Sequence, residues 1–270
     1  MMTESKAQKR IRSSLSFLVF AACLFTWQSA LSLGWVPTPK EYFLLPDYCQ
    51  AKMSDYMRGP VAGKIGSTSP WRREAASMLV PASHIPRWKQ KVGSTDFLHL
   101  HHYCYGLAIM SNAEDPGALR KSGYSAKERY AQAVKEIDYT RSKSRPGAPL
   151  WDVMSIAYAR ALAGAGQWSQ SKAVFEDVIA SSPRDPDAWV EYAKLLKRRG
   201  EINDAIALLE QGLKMASNRG PLLYWLAIYQ YDLGDLTRAA ETAQQAQAAG
   251  MKMDSLTRKL RGAGRSRPAD

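Results

Sequence analysis

From about residue 150 onward, large apolar, small and polar positions return in the same order every 34 residues. Trp189, Tyr192, Ala193, Gly200, Ala205, Leu209 and Gly212 align, one period later, with Leu223, Leu226, Ala227, Gly234, Ala239, Ala243 and Ala246. One period earlier the partners are Ser155, Tyr158, Ala159, Gly166, Ser171, Phe175 and Val178, and Pro183 closes that unit. A period of this size predicts a tandem array in which each unit is a helical pair. The small residues at 193, 205, 227 and 239 let paired helices approach closely. Gly166, Gly200 and Gly234 stand where the first helix of each unit must stop, in a left-handed conformation that glycine accepts. Asp185-Pro186-Asp187 reads as a helix start, a capping side chain followed by proline in the first turn.

These residues resemble the tetratricopeptide repeat, two antiparallel helices per unit stacked into a superhelix. The departures are mild: Gln230 and Ser217 stand where an aromatic residue and a proline are usual, and the first unit lacks the early tryptophan. The resemblance implies an all-α fold in which the first helix of each unit lines a concave face. It places Arg160, Lys194, Lys197, Arg198, Tyr224 and Tyr231 on or near that groove. Cations interleaved with tyrosines suit a protein partner, in particular an extended acidic peptide. Repeats that clamp chaperone C-termini carry lysine and asparagine at positions occupied here by Ile156, Glu191 and Trp225, which argues against that partner.

Upstream the pattern loosens. Residues 94–145 read as a degenerate helical pair: one helix from about Thr95 to Met110, and a second opened by the capping box Ser125-Ala126-Lys127-Glu128. Between them Ala113–Tyr124 reads as a lengthened polar turn. Residues 146–253 hold three repeats, and 254–270 a capping helix and tail that cover the last apolar face. Residues 40–93, with Gly59–Pro70 rich in glycine, serine and proline, read as an irregular N-terminal cap. Within them Ser69-Pro70-Trp71 starts a helix that Pro81–Pro86 ends.

Residues 1–39 are of another kind. Lys6, Lys9, Arg10 and Arg12 precede a run without charge from Ser13 to Pro39, mostly apolar between Leu15 and Leu33. A basic start before an apolar stretch is an export signal. Ala30-Leu31-Ser32 suits cleavage before Leu33, whereas the run is also long enough to span a bilayer. Either way the expectation is a periplasmic protein, or one anchored in the inner membrane and facing the periplasm. If uncleaved, that segment would also be a membrane contact.

Composition sharpens this picture. Hydrophobic residues at 46% and charged residues at 23% exclude a wholly disordered chain. The net charge of +12 favours anionic partners. Export and thin aromatic–basic interleaving argue against nucleic acid. In an oxidising compartment, the two cysteines outside the export segment, Cys49 and Cys104, predict a disulfide between the cap and the first long helix. The alternative is a metal-binding protein using His99, His101, His102 and Cys104, although these fall on two faces of a helix. Gly59-Pro60-Val61-Ala62-Gly63-Lys64-Ile65 is one residue short of a phosphate-binding loop and lacks its hydroxyl. There is no nucleophile elbow, paired carboxylate or haem-attachment motif. The expectation is a non-enzymatic protein-interaction scaffold without cofactor, in the cell envelope, assisting assembly of a surface or secretion complex.

Overall fold

A computed structural model describes residues 36–59 and 79–265 of the chain. The export segment, the phosphate-loop lookalike beyond Gly59, the helix start at Ser69-Pro70-Trp71 and the last five residues lie outside the described residues. The described chain is all-α, with thirteen α-helices, one 3₁₀ turn and no strand.

The described part of the cap consists largely of short helices. Helix α1 (Pro39–Leu44) opens with a capping box: Thr38 Oγ1 accepts from the Glu41 amide, and the Glu41 carboxylate accepts from the Thr38 amide at 2.7 Å. Helix α2 (Asp47–Arg58) follows across Pro46. After the undescribed stretch, Pro81 precedes the 3₁₀ turn Ala82–His84, and α3 (Ile85–Val92) carries Pro86 in its first turn. Pro86 thus starts a helix here, because proline lacks only an amide that the first turn leaves unbonded.

The degenerate pair is α4 (Ser94–Glu114) and α6 (Ala126–Lys143), which pack along their length. Gly106 lets the Ile137 side chain lie against the α4 backbone; a Cβ there would stand 2.6 Å from Ile137 Cγ1. The Ser125–Glu128 capping box forms as read. The polar turn between the pair is largely a short helix, α5 (Pro116–Ser122), which Asp115 caps through the amides of Gly117 and Ala118. Asp-Pro in this order supplies both the cap and the first-turn proline.

Three regular pairs follow: α7 (Trp151–Gly164) with α8 (Trp168–Ser181), α9 (Pro186–Arg198) with α10 (Ile202–Met215), and α11 (Gly220–Asp232) with α12 (Leu236–Ala248). Their first helices end in one motif. Gly166, Gly200 and Gly234 have φ of 82°, 84° and 89°. The following amides of Gln167, Glu201 and Asp235 reach back to the carbonyls of Leu162, Leu196 and Gln230. That bond satisfies a carbonyl which the helix end would otherwise orphan. Ala193, Ala205, Ala227 and Ala239 are completely buried where the helices meet. A final helix, α13 (Asp254–Arg265), follows Met253, and Met253 and Leu256 pack on Leu223 and Ala227 of α11 and Ala243 and Ala246 of α12. Among the described residues no helix is long and apolar enough to cross a membrane.

The buried residues form three clusters that change character along the array. The one around the cap is aromatic and sulfur-rich: Tyr42, Met53, Phe97, Tyr103, Met154 and the two cysteines. In the middle Phe175 stacks on Tyr192 at 5.1 Å, with Trp189, Leu209 and Leu222 around them. The Trp189 indole N–H donates to the Pro183 carbonyl, closing the turn into the second unit.

Candidate functional site

Helices α4, α7, α9, α11 and α13 are the first members of successive pairs and neighbour one another along one side of the array. Their side chains build the candidate groove. Arg160 comes from α7; Lys194, Lys197 and Arg198 come from α9, whose apolar Trp189, Tyr192, Ala193 and Leu196 turn inward. Helix α11 presents two rows. Trp225, Tyr229 and Asp232, spaced four and three apart, face α9, whereas Tyr224, Ile228 and Tyr231 face α13.

The six residues expected on the groove are therefore not one cluster. The cations form a group next to Trp225 and Tyr229, and the two tyrosines line a separate cleft. Most of these cations also have acidic partners. Arg160 lies 3.8 Å from Glu114 and 3.4 Å from Glu191. Lys194 pairs with Glu191 at 2.6 Å and stands over the Trp225 ring at 4.6 Å. Lys197 pairs with Asp232 and lies over Tyr229 at 5.5 Å. Only Arg198 among the six is an exposed cation without an ion pair among the described residues. The expected basic surface is thus a mixed-charge, aromatic one: Lys194 is paired within its own helix, and Arg160 and Lys197 are paired by acids from neighbouring helices.

Two tyrosines sit at the centre of this field. Burial pushes the Tyr229 hydroxyl up to about 12, with Arg198 opposing and Glu191 and Asp232 reinforcing the rise. Tyr130, on α6, is also pushed up to about 12, by burial and then by Glu114, to which its hydroxyl donates at 3.0 Å. Both stay protonated at neutral pH, so neither is a nucleophile; half-buried Tyr130 offers apolar area, whereas Tyr229 is 1% exposed and belongs to the core beside Trp225. Tyr130, Trp225 and Tyr229 were not among the expected site residues; the four-and-three spacing along α11 was the available signal.

The cysteine expectation is met in the structure: Cys49 of α2 and Cys104 of α4 form a disulfide with Cα atoms 5.5 Å apart, and both residues are completely buried. The metal alternative is not built. Cys104 is consumed by the disulfide, and the imidazoles take other partners. His102 meets the Glu136 carboxylate at 2.7 Å, His101 stacks on Tyr56 with its Nδ1 beside the Leu98 carbonyl, and His99 contacts Tyr139. No set of three or more potential metal ligands exists among the described residues. Burial, then His102 and Lys52, hold His101 down to about 4, so it is neutral at pH 7.

Taken together, the stacked pairs define a helical-repeat architecture whose first helices share one face. Two family profiles described as "Tetratricopeptide repeat" match residues 162–218 and 193–254. Residues 162–254 are thus built of tetratricopeptide repeats, a motif that in general serves in protein–protein interaction scaffolds. No curated protein matches the sequence. Among solved structures, one titled "MamA RS-1 ArsTM double mutant" aligns with 78% of this chain and 99% of its own, at 17% identity and a TM-score of 0.39. That likeness is too loose to carry anything about partners.

Proposed function

We propose that this chain is a non-enzymatic scaffold of the cell envelope that holds an extended segment of a partner protein along the face of α7, α9 and α11. The observation that carries this reading is an aromatic strip in which half-buried Trp225 is the accessible ring, backed by the buried Tyr229 and flanked by the exposed Arg198. Large aromatic rings with a nearby cation supply contact area at low entropic cost. A partner carboxylate has an available cation in Arg198, while paired Lys194 and Lys197 must first be shared with Glu191 and Asp232. An acidic segment is the partner in this reading, with specificity from the aromatic strip and attraction from the net positive charge.

Placement in the envelope, anchored or released, rests on the basic and apolar order of residues 1–39. A buried disulfide suits an oxidising compartment. Assistance to the assembly of a surface or secretion complex is the role that a non-catalytic, membrane-proximal scaffold would serve.

Photo-crosslinking in intact cells tests the groove. Benzophenone side chains placed at Arg198 and Trp225 should capture the same polypeptide, and one placed at exposed Glu210 on α10 should not. Capture from Glu210 alone would move the interface to the convex side and reject the reading. For placement, a C-terminal reporter active only outside the cytoplasm should work, and should fail when Leu15–Leu33 is deleted. Cytoplasmic activity with the intact sequence would reject it.

A further inference from the structure

The cleft between α11 and α13 differs from the groove in one respect: its lysines are not neutralised. It encloses about 140 Å³, with Ile228, Met253 and Leu256 as its floor. Lys252 and Lys259 stand at its rim, and neither has an acidic partner among the described residues. Lys259 Nζ lies 5.9 Å from the centre of the Tyr231 ring. The hydroxyls of Tyr224 and Tyr231 have no hydrogen-bond partner among the described residues. The one carboxylate lining the cleft, Asp232, is held by Lys197. An apolar floor, two cations without ion pairs and two available hydroxyls therefore share one cavity.

We infer that this cleft is a subsite for an apolar side chain flanked by carboxylates, presented by the partner's extended segment. The cavity takes one aliphatic side chain, whose burial on Ile228, Met253 and Leu256 contributes the non-polar part of the affinity. Lys252 and Lys259 draw a flanking carboxylate, and a tyrosine O–H donates to it, a charge-assisted bond stronger than a neutral one. Acidic recognition thus falls on the α11–α13 end of the array, one unit beyond the ion-paired cations of α9. The inference rests on the reading that the chain binds a partner segment, and it names the chemistry of that segment.

The test uses the full chain with ¹³C-methyl methionine, because Met253 is buried in the cleft and Met53, Met110 and Met154 are buried elsewhere. The probe is the peptide acetyl-Gly-Glu-Leu-Glu-Gly-amide. It should shift the Met253 methyl signal saturably and leave the other three in place. Its glutamine analogue should bind about fivefold more weakly or worse, the loss expected for one missing charge partner. Lys252→Glu with Lys259→Glu should remove the shift while the helical circular dichroism is retained, since both residues are exposed. Raising salt should weaken the wild-type response. A Met253 signal that does not move, a glutamine analogue that binds as well, or a shift that survives the double reversal would each overturn the subsite. Capture of a partner at Arg198 in cells, with no Met253 response to the probe, would leave the scaffold reading intact and reject this subsite alone.

Discussion

The chain holds its two halves together by different means. From α7 to α12 the helices are joined by rules that repeat: a glycine with positive φ after each first helix, and fully buried alanines where the pair touches. From α1 to α6 the joints are individual. The Cys49–Cys104 bond spans 55 residues of sequence, Tyr42 and Ser54 share a buried hydroxyl contact at 2.9 Å, and both lie within hydrogen-bond distance of the Val80 amide. Repetition makes each unit depend on its neighbours only. Unique long-range joints make the cap depend on all of its parts at once.

The largest expected effect breaks the cap and spares the array. Replacing both cysteines, Cys49→Ala with Cys104→Ala, releases a loop whose closure is worth at most about 4 kcal/mol by chain entropy. Denaturant unfolding should then split into two transitions, the cap melting first. A single unchanged transition would show that the disulfide contributes nothing. Next in size is the joint between the halves. A Cβ on Gly164 would stand 2.3–2.5 Å from ring atoms of Tyr130, so Gly164→Ala forces α7 away from α6. Overpacking of this kind costs typically about 1–3 kcal/mol. Combining it with Tyr130→Leu should recover part of the loss. Within the array, Ala205→Leu and Ala239→Leu should cost about the same, roughly 1–3 kcal/mol each. Because they lie one repeat apart, equal melting for both variants and the wild type would contradict the register. Gly200→Ala imposes a side chain on φ of 84° and should cost about 1–2 kcal/mol without altering the cap.

A smaller effect separates the halves by pH. His101, on α4, stacks on Tyr56 of α2 and is held down to about 4, by burial first and by His102 and Lys52 after that. Its pKa in the unfolded chain is near the ordinary value of about 6.5. Between these values the unfolded chain binds more protons, so stability rises with pH there. It is fully present above about 6.5, falls as pH drops, and levels off below about 4. The denaturant midpoint of the cap transition should follow this course. His101→Phe, which keeps a ring against Tyr56, should flatten it.

Legibility in the sequence followed the same division. Gly166, Gly200, Gly234 and the alanines could be read because each is compared with its own copy 34 residues away. The Ser125–Glu128 box could be read because capping is local. The Thr38-Pro39-Lys40-Glu41 box carries the same signal for α1, and it was hidden by proximity to the apolar leader and the proline-rich stretch. The cysteine pair was found by elimination, not by geometry. The charge of the groove was misread in two ways. The Glu191–Lys194 pair lies within α9 at a spacing of three and was legible. Glu191 and Asp232 also neutralise Arg160 and Lys197 from a neighbouring helix, roughly one repeat away, and a pattern read along one helix does not contain them. The same blindness hid Lys252 and Lys259, which meet Tyr224 and Tyr231 only when α13 folds onto α11.

Native-state hydrogen exchange on the wild type and on the Cys49→Ala, Cys104→Ala variant tests the central claim, that the cap is one long-range unit and the array is held unit by unit. The account predicts that amides of α1 to α4 and α6 lose protection together in the variant, that α7 is affected at its contact with α6, and that α9 to α12 keep wild-type protection. Equal loss across α9 to α12 would mean that the array does not stand on its own repeats, and would contradict the account.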